Sequence, residues 1–209
     1  MHGRMACVSH VDAKVVTTIL NLLDAKYGQE IVGGKRAALT INRGHLHDYL
    51  GMTLDYSEPG YVKLNMVDYV NKVLEEMPDN MDGTATSPAA EYLFKIIDGI
   101  ETLDDTTSEF FHATVAKLLF LCKRGRPDIQ TAIAFLCTRV QQPTRHDYNK
   151  LARVIKYLRA TRKLVLRLSA ENLNIIKWWI DASNGVHHDM RSHTGGTMSM
   201  GTGAVYSTS

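Results

Sequence analysis

Apolar residues recur every three or four positions in three successive stretches between positions 110 and 158, a spacing that predicts three helices. The first opens on Thr106-x-x-Glu109, which reads as a capping box. It buries Phe111, Val115, Leu118, Leu119 and Cys122 and ends at Gly125. The second starts at Arg126-Pro127-Asp128, with Pro at the first helical position and Asp in the first turn, both favoured there. It runs through Ile129, Ala132, Ile133, Leu136 and Val140 to Pro143. The third opens on Thr144-x-x-Asp147, buries Leu151, Val154, Ile155 and Leu158, and leaves Lys150, Arg153, Lys156 and Tyr157 outward. The short connections predict an antiparallel or orthogonal cluster.

On either side the pattern is mixed. Asp12 caps a helix with Val15, Val16, Ile19, Leu22, Leu23 and Tyr27 along one side and Gly28 just past its end. Residues 37–43 read as a strand and 47–56 as a second, and Glu58-Pro59-Gly60 turns the chain into a third at 61–66. Leu64, Met66, Tyr69, Val70, Val73 and Leu74 then lead into a helix that stops before Pro78, and 79–88 is a polar loop. Beyond the helices, 174–183 is an apolar strand ending in the carboxylate of Asp181, with further strands at 197–200 and 204–207. The class these elements predict is α+β.

Composition narrows the picture. The chain has 209 residues, 44% apolar and 22% charged, which suits a soluble globular protein with an ordinary core. No apolar run approaches the ~20 residues of a membrane span. Residues 1–10 lack a signal-peptide core, so a reducing intracellular setting is expected. Cys7, Cys122 and Cys137 are too few and too scattered for a disulfide framework or a zinc knuckle, and the latter two fall on apolar helical positions. His45 and His47 alternate along a strand, and His187, His188 and His193 crowd one loop. No Cys or carboxylate stands at zinc spacing beside them, so packing is the expected role. Strand packing is likewise expected of Trp178 and Trp179.

Charge is where the chain is unusual. Positions 110–167 hold thirteen Lys and Arg against two acids, Asp128 and Asp147, whereas the whole chain sums to +2. So uneven a distribution points to backbone phosphates as the counterpart. Lys150, Arg153, Lys156 and Arg159, followed by Arg162 and Lys163, form the candidate row of contacts to nucleic acid.

Three motifs in this stretch carry a resemblance. They are Ala116-Lys117-Leu118-Leu119-Phe120-Leu121, Arg126-Pro127-Asp128-Ile129, and Arg153-Val154-Ile155-Lys156-Tyr157-Leu158-Arg159-Ala160-Thr161. In order and spacing they resemble one run of the copia-type LTR retrotransposon polyprotein, between the reverse transcriptase palm and ribonuclease H. Tyr49-Leu50-Gly51-Met52 and Val67-Asp68-Tyr69-Val70 resemble the last third of that palm, and Thr86-Ser87-Pro88 stands where the family has a Thr-Pro. The strand at 174–183 resembles the first strand of ribonuclease H, and Arg191-Ser192-x-Thr194-Gly195-Gly196 a turn that follows it.

The resemblance implies a partial palm over 1–100, a basic three-helix thumb or connection over 101–168, and incomplete ribonuclease H-like strands over 169–209. It also implies what is missing. The family polymerase uses Mg²⁺ held by paired Asp residues; the corresponding places here read Gly3-Arg4-Met5, or the chain starts too late to include them. Asp181 matches a ribonuclease H metal ligand, but the later acids of that site would lie beyond Ser209. The expectation is a truncated, catalytically inactive fragment that holds no cofactor itself, binds RNA–DNA hybrid or duplex, and does not engage a membrane. A small non-enzymatic nucleic-acid-binding protein using the basic helices, and a slice through an intact element, fit the sequence equally.

Overall fold

The computed structural model describes residues 6–28, 31–32, 35–36 and 39–209. Gly3-Arg4-Met5 and the first two residues of the strand expected at 37–43 lie outside them. Helix α1 (Ala13–Tyr27) is capped as expected, the Asp12 carboxylate accepting from the Lys14 amide. A short pair, β1 (Ile31–Val32) and β2 (Lys35–Arg36), follows. Residues 39–43 form no strand; the Leu39 amide donates instead to the Asp24 carboxylate at 3.1 Å.

The single strand expected at 47–56 is a hairpin, β3 (Leu46–Tyr49) against β4 (Met52–Asp55). Its corner is Leu50-Gly51, with φ of 49° and 76°. Two left-handed residues make the tight turn whose twist suits paired strands, and Gly51 adopts that conformation without steric cost. β5 (Tyr61–Asn65) pairs with β4, and α2 (Val67–Glu75) follows it. A further strand, β6 (Leu166–Ser169), was not foreseen; it pairs with β5 and completes an antiparallel sheet in the order β3-β4-β5-β6.

The three central helices form, with revised ends. α3 (Asp105–Cys122) is capped by Asp104, whose carboxylate accepts from the Thr107 amide and hydroxyl, rather than by a Thr106–Glu109 box. Pro127 opens a 3-10 turn (Pro127–Ile129) that leads into α4 (Gln130–Cys137). α4 stops well short of Pro143 because Thr138 turns back, its amide and hydroxyl both donating to the Phe135 carbonyl. α5 (Arg145–Ala160) starts on the expected Thr144–Asp147 capping box, with both reciprocal bonds made.

The core runs through α2 to α5. Phe111, Leu118, Leu121, Ile129, Ile133, Leu136, Leu151, Ile155 and Leu158 are fully buried, joined by Val70, Val73 and Leu74 from α2. Met81 belongs to it as well, because the loop at 79–88 makes a 3-10 turn (Asp79–Met81) that drops this side chain inside. Burial of each such side chain contributes about 1.5–3 kcal/mol. Burial also pushes the Cys122 thiol up to about 11, in keeping with a packing role. In contrast, no residue of α1 is fully buried.

The C-terminal segment forms a second sheet, β7 (Lys177–Ser183), β8 (His193–Ser199) and β9 (Tyr206–Thr208), antiparallel and in that order. The turn expected at 191–196 is instead strand from His193 onward, because Thr194, Gly195 and Gly196 pair with Ala182, Asp181 and Ile180. This sheet is anchored by the loop after β8. The Ser169 amide donates to the Thr202 carbonyl and the Glu171 amide to the Met200 carbonyl, each at 3.0 Å. Gly203, at φ 79°, approaches so closely that a Cβ there would lie 2.2 Å from the Arg167 carbonyl oxygen. The fold is α+β.

Candidate nucleic-acid interface

The basic row on α5 divides into three kinds of residue. Lys150, expected outward, is buried at 3% exposure. Its ammonium donates to the Lys95 carbonyl at 2.7 Å, lies 3.8 Å from the Asp147 carboxylate and sits 4.5 Å from the centre of the Phe135 ring. The helical period explains the correction: Lys150 is three residues after buried Asp147 and four before Val154, so it lies on the inward stripe. Burial outweighs the pull of Asp147 and lowers its pKa. Asp147 itself accepts from Arg139 Nε at 3.3 Å as well as from Thr144, so one carboxylate caps the helix and holds two cations.

Arg153, Lys156 and Arg159 are half-buried beneath the loop at 79–88. An Arg153 Nη2 donates to Ser87 Oγ at 3.0 Å, and Arg159 Nη2 pairs with the Asp82 carboxylate at 3.0 Å. The Ala85 amide donates to the Lys156 carbonyl, and Tyr148 Oη donates to Asn80 Oδ1 at 3.0 Å. Sequence gives no sign of this covering. An acidic loop more than sixty residues upstream lies along the helix because Met81 anchors it in the core.

Arg162 and Lys163, by contrast, stand in the open just past the helix end. With Arg159 they border an open hollow of about 500 Å³ whose far wall is α2, including Asn71 and Glu75. Arg159 is paired with Asp82, so the positive charge left at the mouth is that of Arg162 and Lys163, set against Glu75 on the far wall. The row that the sequence spreads over the length of α5 therefore contracts to its C-terminal end.

What fixes this end is Arg126. Its guanidinium is 2% exposed and forks onto Asp128, with Nε–Oδ1 of 2.9 Å and Nη2–Oδ2 of 2.7 Å. It also reaches Thr161, donating to the carbonyl at 3.1 Å and to Oγ1 at 2.7 Å. Tyr157 Oη closes the group by donating to Asp128 Oδ2 at 2.9 Å. Burial first, and then the Asp128 contact, raises the Tyr157 pKa. The motif Arg126-Pro127-Asp128 thus meets the motif residues Tyr157 and Thr161 at the end of α5. There a buried cation satisfies a terminal carbonyl and opposes the helix dipole.

Asp181 lies mid-strand opposite Gly195 and is exposed. Among the described residues no three His, Cys, Asp or Glu converge on a common point. A two-metal nuclease centre takes several carboxylates, so the residues present around Asp181 do not fit a Mg²⁺ pair. His187 and His193 do meet, with Nε2 to Nδ1 of 3.1 Å, but their rings lie against Phe94, each centroid 4.8 Å away. This contact packs the C-terminal sheet onto the helical core.

No protein-family model matches the chain, and no solved structure matches it. It is 28% identical over 163 residues to a putative transposon Ty5-1 protein of Saccharomyces cerevisiae, covering 77% of this chain and 52% of that protein. It is 27% identical over 119 residues to an uncharacterized mitochondrial protein of Arabidopsis thaliana, covering 56% of this chain and 47% of that one. The chain spans about half the length of these curated relatives. The first of these similarities relates the chain to a transposon protein, which is the coarser part of what its motifs imply.

Proposed function

We propose that the chain is a catalytically incomplete part of a copia-type reverse transcriptase–ribonuclease H polyprotein that retains weak, sequence-independent binding to RNA–DNA hybrid or duplex. The observation that carries the binding is the open basic mouth at the end of α5, where Arg162 and Lys163 stand exposed beside Arg159. Phosphate oxygens are the natural counterpart of such a cluster, and contacts to phosphate carry no base information. Two facts support the family reading. The motifs of the resemblance close into one hydrogen-bonded group in space, and the chain is similar to a transposon protein. Polymerase and nuclease chemistry are not part of the proposal, because no three His, Cys, Asp or Glu side chains converge among the described residues.

The test is a salt titration with an RNA–DNA hybrid and with duplex DNA. If Arg162 and Lys163, with Arg159, neutralise about two or three phosphates, log K against log salt falls with a slope of roughly −2 to −3. Arg162→Glu with Lys163→Glu should flatten it by about two units. Absence of binding at low salt, or a slope indifferent to these substitutions, would leave the helix end as a solvated surface.

A further inference from the structure

The segment 82–87 crosses α5 as a strap that is fixed at its ends. Met81 before it is fully buried, and Ala89 after it packs against the core. Between these anchors no side chain belongs to the core. Polar contacts to α5 hold the span instead. Asp82 pairs with Arg159 at 3.0 Å, the Ala85 amide donates to the Lys156 carbonyl at 3.3 Å, and Ser87 Oγ accepts from Arg153 at 3.0 Å. The first is an ion pair with 63% of the Asp82 side chain open to solvent, and such pairs contribute little. The second is longer than an ordinary amide–carbonyl bond. A stretch with no buried apolar side chain and few hydrogen bonds opens locally at low cost.

The cations beneath are poorly served by this cover. Arg153, Lys156 and Arg159 follow one another at intervals of three along α5 and so form one row. Gly83 lies over the Lys156 stem. The Nε atoms of Arg153 and Arg159 are covered yet find no hydrogen-bond partner among the described residues. A covered guanidinium N–H without an acceptor costs free energy. Phosphate oxygens accept in the fork geometry of a guanidinium, and would satisfy donors that the strap's hydroxyl and carboxylate leave unmet.

We infer, on the nucleic-acid reading proposed above, that the segment 82–87 is an autoinhibitory strap. Closed, it confines phosphate contacts to the mouth at the end of α5. Lifted, it opens Arg153 and Lys156 to phosphate and frees Arg159 from Asp82, so the row becomes continuous.

Salt titration with an RNA–DNA hybrid tests this on three forms of the full chain. They are the wild type, a released variant (Asp82→Asn with Ser87→Ala) and a charge-matched control, Asp79→Asn. Asp79 is exposed on the same loop, and its neutralisation removes one charge without removing a strap contact. The released variant should bind about tenfold more tightly than the control at low salt, with a slope steeper by about one to two units. Adding Arg153→Gln should take back about one unit of slope from the released variant and almost none from the wild type. In the free proteins, the Ala85 amide should exchange faster in the released variant than in the control. Binding no tighter than the control's, an unchanged slope, equal effects of Arg153→Gln in both backgrounds, or equal Ala85 exchange would each overturn the strap while leaving the nucleic-acid reading in place. No binding by any of the proteins would overturn both.

Discussion

Arg126 and Thr161 stand 35 residues apart in sequence, yet the buried guanidinium of one donates to both the carbonyl and the hydroxyl of the other, at 3.1 and 2.7 Å. The same guanidinium holds Asp128, so one side chain joins the entry to α4 with the exit from α5. Its place beside the basic mouth makes it a positioning residue for Arg159, Arg162 and Lys163.

Arg126→Ala should destabilise the fold by about 3 kcal/mol, because it strands buried acceptors and leaves Asp128 unpaired. Arg126→Lys should recover little of this, since an ammonium cannot make the planar fork. Urea unfolding of the two variants checks the loss. A double-mutant cycle with Thr161→Val should show coupling well above additivity.

Lys150 and the residues at the helix end should separate cleanly. Lys150→Glu sets a second carboxylate beside buried Asp147 and should cost about 3 kcal/mol or more of stability. Arg162→Glu and Lys163→Glu, both exposed, should change stability by no more than about 0.5 kcal/mol while altering the salt slope. Equal thermal shifts for the two sets would contradict the division of the basic row drawn above.

Catalysis should be absent. With Mg²⁺ or Mn²⁺ the chain should extend no primer and cleave no RNA–DNA hybrid, and Asp181→Asn should change nothing in either assay. Metal-dependent turnover abolished by that substitution would show that carboxylates beyond those converging in the described residues complete a site.

The docking of the C-terminal sheet should weaken in acid. Burial, and then the neighbouring His187, lower the His193 pKa below its ordinary value of 6.5. A base whose folded pKa is lowered favours the folded state fully above the unfolded value. That contribution is lost as pH falls below about 6.5 toward the folded value, since the unfolded chain takes up the proton first. Glu91, Lys95 and His188, the last 3.5 Å from the Asp98 carboxylate, line a hollow with Phe94 and His187 beside this contact and set its residual charge. Hydrogen exchange on dilute protein should show β8 losing protection between neutral pH and pH ~5, once corrected for intrinsic rates. At either pH β7 should exchange faster than the span from Leu151 to Leu158, because β7 is exposed along its whole length whereas Leu151, Val154, Ile155 and Leu158 are fully buried. Equal protection would argue against a weakly held sheet.

The sequence by itself determined the helices, the class and the location of the charge. Leu151, Val154, Ile155 and Leu158 recur at helical spacing, and a stripe of that kind has one stable solution, burial against its neighbours. Asp12, Thr144 and Asp147 announced their caps because a cap needs only residues adjacent in the chain. Even the inward turn of Lys150 was present in its spacing from Asp147 and Val154, where charge masked the period. Leu50-Gly51 could have been read as a hairpin corner, but a Leu at positive φ is not a turn signal, and pairing with β4 imposes it. Only the tertiary structure decided the rest. β6 is four residues long and becomes a strand because β5, a hundred positions upstream, offers an edge. The loop at 79–88 covers the middle of the basic row because Met81 is drawn into the core, and Arg126 reaches Thr161 because α4 folds back between them. In each case the partner is distant in sequence. Local spacing specifies which face of an element is apolar, but which distant segment meets that face is set by packing and by the need to satisfy buried polar groups.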